Sequence, residues 1–196
     1  MITLPHQDNA PRLRIALALL CCGGSLCGSP HVHAQPPSLD QIPAGYIKIA
    51  RAHGVPPSIL YGISRAESDR TDKKKGDRKP WPWTLNVASK GYYFDTRQKA
   101  FDALTEHVGA GRNVDIGPAQ VSWNYHRSRL GTLWSALDPY HNLNVGAQIL
   151  REMFDVTCAS RCDWWRAIGM YHSPKDQENA QRYRLRVAPY LKEALN

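Results

Sequence analysis

Residues 58–68 read SILYGISRAES, and this stretch decides how the rest of the chain is interpreted. Ile59, Leu60 and Ile63 recur at the spacing of one helical face, which predicts an α-helix with an apolar side packed into a core. Glu67 follows Ile63 by four residues and Leu60 by seven, so its carboxyl group falls on the same apolar face. Glu67 also lies in the last helical turn, where the partial negative charge of the helix end disfavours another negative charge.

Both effects act on the protonation of Glu67. Loss of solvent and the helix dipole each disfavour the carboxylate, so the sequence predicts a raised pKa for Glu67. A carboxylic acid that keeps its proton near neutral pH can donate it to a leaving oxygen, as a general acid must. The alternative that this segment leaves open is an ordinary solvated glutamate at a frayed helix end.

Outward from this helix, the chain is expected to be α+β and predominantly helical. Further helices are predicted over residues 46–53, from the N-cap Thr96 to Gly109, from the N-cap Asn142 to 154, from the N-cap Asp163 to Tyr171, and over 177–187 and 189–195. The good strand signal is a hairpin over 83–94, with β-prone runs at 83–87 and 92–94 around a connection that ends at Gly91. The polar stretch 68–79 is predicted to be a loop.

The N-terminus has the pattern of an export signal. Arg12 and Arg14 precede a short apolar block over residues 15–22, and the small residue Ala34 suits cleavage before Gln35. An N-terminal membrane anchor is the alternative, but the apolar block is much shorter than the roughly 20 residues of a membrane span and lacks a second flank. A periplasmic protein is therefore expected, with 1–34 as signal peptide, 35–44 as leader and 45–196 as one folded domain.

Two of the five cysteines, Cys158 and Cys162, lie outside the predicted signal peptide. In an oxidising compartment such a pair forms a disulfide by default, and two free thiols are the alternative. A tetrahedral zinc site needs two more ligands, and the histidines are scattered, so neither a metal nor another cofactor is expected.

Four short motifs occur in order along the chain. They read ISRAES at 63–68, VDIGPAQV at 114–121, NLNVGA at 142–147 and AIGMYHSP at 167–174. Together they resemble the lytic transglycosylases with a soluble-lytic-transglycosylase domain, particularly the small ones encoded with conjugation and type IV secretion systems. The resemblance spans Gly45 to Leu191. It implies a lysozyme-like fold with a small β-hairpin lobe and cleavage of peptidoglycan glycan strands with formation of 1,6-anhydro-N-acetylmuramic acid.

The resemblance also implies roles for individual residues. Glu67 takes the place of the family's catalytic Glu, and Ser68 that of the Ser after it, which makes Ser68 a candidate substrate contact. Gln120 matches the Gln of the Gly-Leu-Met-Gln motif, which lines the sugar cleft. Tyr171 matches the Tyr of the Ala-Tyr-Asn-Ala-Gly motif, which lies close to the catalytic Glu.

Departures from the family pattern keep two alternatives open. Residues 118–119 are Pro-Ala in place of Leu-Met, and residues 172–174 are His-Ser-Pro in place of Asn-Ala-Gly. A degenerate member that binds glycan strands or secretion-system components without cleaving them is therefore one alternative. The other is a hydrolytic muramidase helped by Asp115, which is otherwise interpreted as a turn residue. In goose-type lysozymes an Asp follows the Gln-Val pair; Ser122 stands there in this chain, which favours the lyase.

The net charge of +8 indicates a polyanionic partner. The basic run Lys73-Lys74-Lys75 has no interleaved aromatic residues for base stacking, so nucleic acid is not expected. A solvated loop is the favoured interpretation of this run, and attraction to acidic wall polymers is the alternative. Trp83 and Trp123 are predicted to stack on sugar rings, with core packing as the alternative for each. The expected partners are thus peptidoglycan strands and components of a conjugation or type IV secretion machine.

Overall fold

The computed structural model describes residues 41–72 and 76–191. The predicted signal peptide, residues 35–40 of the leader, the Lys73-Lys74-Lys75 run and most of the last predicted helix lie outside these residues. None of the helices in the described ranges has the length and apolar character needed to cross a membrane.

The described chain is mixed α+β and mainly helical, as predicted. Its helices are α1 (Ala44–Ala52), α2 (Pro57–Ser68), α3 (Arg97–Gly109), α4 (Trp123–Leu130), α5 (Leu133–Ala136), α6 (Pro139–Thr157), α7 (Trp164–His172) and α8 (Gln177–Val187), followed by a 3₁₀ turn over Ala188–Tyr190. The strands are β1 (Asp69–Thr71), β2 (Arg78–Pro80), β3 (Thr84–Val87), β4 (Lys90–Tyr93), β5 (Asp115–Ile116) and β6 (Val121–Ser122).

The strands form two antiparallel units. β1 pairs with β2, and the other four strands form a sheet in the order β4-β3-β5-β6. The predicted hairpin is confirmed as β3 and β4, but its turn is shorter than expected. Val87 pairs with Lys90, so Ala88 and Ser89 alone make the connection, with φ of 49° and 64°. Two central residues with positive φ match the twist of the flanking strands.

The prediction of a loop over 68–79 is wrong, because Asp69 pairs with Pro80 and Thr71 with Arg78. Strands of three polar residues have no alternating apolar pattern, so the sequence carries no signal for them. Two ion pairs connect this corner, since Arg65 Nε lies 2.7 Å from Asp69 Oδ1 and Arg78 Nε lies 3.7 Å from Asp69 Oδ2. Burial nevertheless raises the pKa of Asp69.

Two of the three predicted helix caps are confirmed, and the third is wrong. Thr96 accepts from the Lys99 N–H at 3.2 Å, and Asp163 accepts from the Arg166 N–H at 3.1 Å. Helix α6 instead begins after Asp138, whose carboxylate accepts the N–H of residue 141 at 2.9 Å. The proline at residue 139 is suited to the first helical position, because the N–H it lacks has no partner there. Asn142 therefore lies inside the helix.

Helix α2 lies in the core, as its periodicity predicts. Ile59, Leu60 and Ile63 are at most 1% exposed. Helix α2 packs against α1 and α8, α6 packs against α1 and α7, and α7 packs against α8. The C-terminal end of α2 consequently lies beside α8, which is distant in sequence. Between α6 and α7, the sulfur atoms of Cys158 and Cys162 lie at bonding distance.

Candidate active site

A cleft of about 780 Å³ lies beside the C-terminal end of α2. This volume falls within the range of small-molecule binding sites. Side chains from α2, β5, the turn before β6, α4, α7 and α8 contribute to its lining, including Glu67, Asp115, Gln120, Tyr125, Tyr171 and Arg186.

Glu67 lies in this cleft with only 12% of its side chain exposed. Burial is the first cause that raises the pKa of its carboxyl group, and the nearby Asp115 carboxylate raises it as well. Arg186 and the Tyr183 hydroxyl act in the opposite direction without cancelling the effect of burial. The raised pKa expected from the sequence is therefore present, with loss of solvent as its main origin.

Arg186, on α8, approaches the Glu67 carboxyl group from the rim of the cleft. Its Nη2 lies 3.4 Å from Oε1 and 3.5 Å from Oε2. The guanidinium also lies over the ring of Tyr183, 4.8 Å from the centroid. Tyr183 is 2% exposed, and its hydroxyl makes no hydrogen bond of good geometry within the described residues although it lies beside Glu67.

Asp115 is, of the carboxyl residues that line the cleft besides Glu67, the one whose charge raises the pKa of Glu67. It lies in strand β5, so its interpretation as a turn residue is wrong. Burial raises the pKa of Asp115, and the side chains of Ser122 and Asn113 lower it. The Ser122 hydroxyl also donates to Asn113 Oδ1 at 2.9 Å, so two polar side chains border this carboxyl group.

The turn over residues 117–120 connects β5 to β6 and carries Gln120 into the cleft lining. Gln120 adopts a φ of 45°, a left-handed conformation that costs a non-glycine residue about 1 kcal/mol or more. Its side-chain amide donates to the Gly117 carbonyl at 2.8 Å, which closes the turn. Strained conformations of this kind persist only where the surrounding structure holds them.

Side chains from three helices hold this turn. The Ser68 hydroxyl donates to the Pro118 carbonyl at 3.0 Å, and the Tyr171 hydroxyl donates to the Ala119 carbonyl at 2.7 Å. The Asn142 side chain accepts the Ala119 N–H at 3.0 Å. The four sequence motifs, which are separated along the chain, therefore meet at this turn.

The structure places the predicted substrate contacts in two groups. Gln120 and Tyr171 line the cleft, but Ser68, Trp83 and Trp123 do not. Ser68 is fully buried, and its hydroxyl donates to backbone carbonyls of the protein itself. Trp83 and Trp123 are half-buried and pack against the core. In this structure Ser68 holds the turn and the two indoles pack against the core, so contact of these three side chains with a substrate stays a prediction.

Sequence reasoning missed several residues of the cleft. Tyr125, on α4, is 83% exposed and lines the cleft, where an aromatic face of this kind suits stacking on a sugar ring. Helix α4 has a weak apolar face and a non-helical residue at His126, so periodicity gives no signal there. Arg186 and Tyr183 lie on a helix that was predicted, but nothing in local spacing connects α8 with Glu67.

Among residues 41–72 and 76–191, no three His, Cys, Asp or Glu side chains come close enough to hold a metal ion.

The chain was compared with known proteins. No family model, curated protein or solved structure matches it. The cleft geometry and the motifs that meet there are therefore what support a function.

Proposed function

We propose that the protein is an exported lytic transglycosylase. It cleaves the β-1,4 bond between N-acetylmuramic acid and N-acetylglucosamine in peptidoglycan. The observation that carries this proposal is Glu67, a carboxyl group with a raised pKa, buried to all but 12% of its side chain and lining a cleft of about 780 Å³. Gln120 and Tyr171, which the family resemblance connects with sugar binding, line the same cleft.

The reaction needs one carboxyl group. Glu67 donates its proton to the glycosidic oxygen as the bond from C1 of the muramoyl residue to that oxygen breaks. The substrate's own acetamido group stabilises the oxocarbenium-like centre. The Glu67 carboxylate then takes the proton of the muramoyl 6-hydroxyl. At the same time the O6 atom of the sugar bonds to C1, which closes the 1,6-anhydro ring. The proton on Glu67 is restored and no water is consumed.

A helical body with a small antiparallel sheet supports a lysozyme-like fold for this domain. Tyr125 is the side chain we assign to stacking on a sugar ring, because its face is open to the cleft. The proposed setting is local opening of the wall for a conjugation or type IV secretion machine, which rests on the family resemblance alone.

Hydrolysis is the second candidate, and Asp115 is the observation that favours it. Its carboxyl group lines the same cleft and lies near enough to Glu67 to raise the pKa of that residue. A two-carboxylate glycosidase uses its second carboxylate to activate water or to form a covalent intermediate. The product separates the candidates, because a transglycosylase leaves anhydro-muramoyl ends and a hydrolase leaves reducing ends.

The test is mass spectrometry of purified sacculi digested with wild-type protein and with Glu67→Gln. Glutamine has no proton to donate, so we expect product release to fall by at least about a hundredfold, the usual contribution of general acid catalysis. Glu106→Gln is the matched control, because Glu106 is exposed on α3 and does not line the cleft. Undiminished release by Glu67→Gln contradicts the role of Glu67, and reducing ends in place of anhydro ends establish the hydrolase.

The pH dependence of stability tests Glu67 without any activity. Because burial raises the folded-state pKa of Glu67, folding retains a proton there that the unfolded chain releases above its ordinary value of about 4.3. Wild-type protein should therefore lose stability relative to Glu67→Gln as the pH rises through and above that value. Urea unfolding of both proteins between pH 4 and 8 measures the difference. A constant difference across this range contradicts the raised pKa.

A further inference from the structure

Arg186 is at odds with the chemistry proposed for Glu67. Within the described residues it is the only basic side chain that pairs with the Glu67 carboxyl group. A guanidinium at this position favours the charged carboxylate and so lowers the pKa of the group that has to donate a proton. The contact between Arg186 and Glu67 therefore suits the free protein better than the reacting complex, in which Glu67 has to be protonated.

The geometry of the contact allows Arg186 to leave Glu67. Its distances of 3.4 and 3.5 Å exceed the 2.7–2.9 Å typical of a strong charge-assisted hydrogen bond. Half of the Arg186 side chain is exposed, and the residue lines the cleft. Its guanidinium makes no other hydrogen bond within the described residues, so further N–H donors are free for a ligand. The Tyr183 ring beneath it holds the guanidinium at the cleft rim.

We propose that Arg186 is a positioning residue that binds a carboxylate of the substrate and thereby releases Glu67 to act as the acid. The inference rests on the proposed function, which makes the substrate a glycan that carries carboxylates. The planar guanidinium fork matches a carboxylate in two-point geometry, and a carboxylate open to the cleft can form shorter contacts than Glu67 makes now. Arg186, which pairs with the Glu67 carboxyl group in the free protein, would thus be the residue that binds the anionic group of the substrate.

Two substrate groups have this chemistry. A muramoyl residue without a peptide carries the carboxylate of its lactyl group, whereas a muramoyl residue with a peptide carries carboxylates on the peptide. Chitooligosaccharides have the same sugar backbone and no carboxylate. Ligands of these three kinds and of equal length therefore separate the two sources of the charge from the sugar itself.

Other titratable groups also surround Glu67. Asp115 on β5, Tyr171 on α7 and Tyr183 on α8 interact with it electrostatically. The same cleft is also lined by His126, Glu152, His172, Lys175 and Asp176. Burial and the charge of Arg186 lower the pKa of His172, and burial raises the pKa of both tyrosines, so these three groups stay neutral near pH 7. Among the groups that interact with Glu67, Asp115 is the one whose titration overlaps with that of Glu67, and a residue-resolved method is needed to separate them.

The first measurement is an NMR titration of the Glu67 carboxyl group in the free protein. With Arg186→Gln, we expect Glu67 to titrate at higher pH than in the wild type, because an attractive positive charge is gone. The matched control is Arg182→Gln, one turn earlier on α8, whose guanidinium pairs with Glu178 instead. An unchanged titration in Arg186→Gln, or an equal shift in both variants, overturns the inference.

The second measurement is ligand affinity in a Glu67→Gln background, which prevents turnover. There the peptide-free muramoyl oligosaccharide or its peptide-bearing form should bind more tightly than the chitooligosaccharide. Arg186→Gln should remove about tenfold of that preference, equivalent to one lost charge-assisted hydrogen bond. Arg186→Lys keeps the charge but lacks the fork, so it should leave the Glu67 titration near wild type and still lose carboxylate preference. Equal preference with and without Arg186 overturns the inference.

The two proposals fail separately. If wild-type protein releases neither anhydro nor reducing ends from sacculi, the proposed function fails, whereas the titration and the affinities still report on Arg186. If sacculi are cleaved and Arg186→Gln retains the carboxylate preference, only the inference about Arg186 fails.

Discussion

Replacement of Asn142 by alanine tests how the turn over residues 117–120 is held. Asn142 is fully buried on α6, and its side-chain oxygen accepts the Ala119 N–H at 3.0 Å. Its amide nitrogen donates to the Ile116 carbonyl at 2.8 Å and lies 3.4 Å from the Ala136 carbonyl. Asn142→Ala removes these contacts together and leaves the buried Ala119 N–H without its acceptor, whereas the Ile116 carbonyl keeps its place in the β5–β6 pairing.

The expected cost follows from those contacts. A buried donor left unpaired costs about 1–3 kcal/mol, and Asn142→Ala leaves the Ala119 N–H in that state. Ala119 and Ile116 are both fully buried, so bulk water does not replace the lost partners. Together with the space left by the side chain, the expected loss is about 3 kcal/mol. A domain with 5–15 kcal/mol of stability still folds after such a loss.

Urea unfolding measured by circular dichroism gives the free energy of unfolding. Asn144→Ala is the matched control on the same helix, because Asn144 is half-buried and leaves no fully buried backbone group unpaired: its amide donates to the Tyr140 carbonyl at 2.8 Å and its oxygen lies 3.0 Å from His53 Nε2. We expect it to cost less than about 1 kcal/mol. Equal losses in the two alanine variants would refute the account of Asn142 as the side chain that holds the turn.

Asn142→Asp adds a pH signature. A carboxylate at this position still accepts the Ala119 N–H, but its second oxygen faces the Ile116 carbonyl with no proton between them. The protonated form can donate there, and burial raises the pKa of such a group in the folded state. The variant should therefore be least destabilised below the ordinary Asp value of about 3.9 and lose stability as the pH rises above it. A loss that is independent of pH would contradict this geometry.

Two further predictions concern packing and covalent linkage. A Cβ on Gly146 would lie 2.7 Å from the Ala119 Cβ, so Gly146→Ala should lower the free energy of unfolding in urea by about 1–3 kcal/mol. At Gly109 nothing lies within 4 Å, so the control Gly109→Ala should be neutral or slightly stabilising. A neutral Gly146→Ala would contradict the tight contact. Loss of the disulfide, by reduction or by replacement of Cys158 and Cys162 with serine, should lower the free energy of unfolding by only about 2 kcal/mol, because the closed loop is short. Complete unfolding on reduction would contradict this expectation.

Helix α2 shows how much of the site is predictable from local sequence. Apolar spacing predicts the helix, its buried face and the position of Glu67 on that face, because side chains three and four residues apart share one side of any α-helix. The caps at Thr96 and Asp163 are equally local, since each oxygen accepts an N–H from the first turn of its own helix. The β3–β4 hairpin was predictable for the same reason, as its two strands are adjacent in the chain.

Asn142 and Arg186 show which contacts local sequence does not predict. Asparagine is a residue type favoured at helix N-caps, but the Asn142 side chain instead hydrogen-bonds Ala119 and Ile116, which lie 23 and 26 residues before it. Arg186 contacts a carboxyl group 119 residues before it. Strands β5 and β6 have only two residues each, and β5 pairs with β3, about 30 residues before it in the chain, while β6 pairs with β5.

By itself, the sequence determined the helices, a buried acid at the end of one of them, a cysteine pair and the order of four motifs. Only the tertiary structure decided that these motifs meet at one turn, that Ser68 and Asn142 support the turn, Asn142 instead of capping a helix, and that Arg186 lies on Glu67. The physical reason is that periodicity specifies which face of an element is buried, whereas the partner it meets depends on how distant elements pack together.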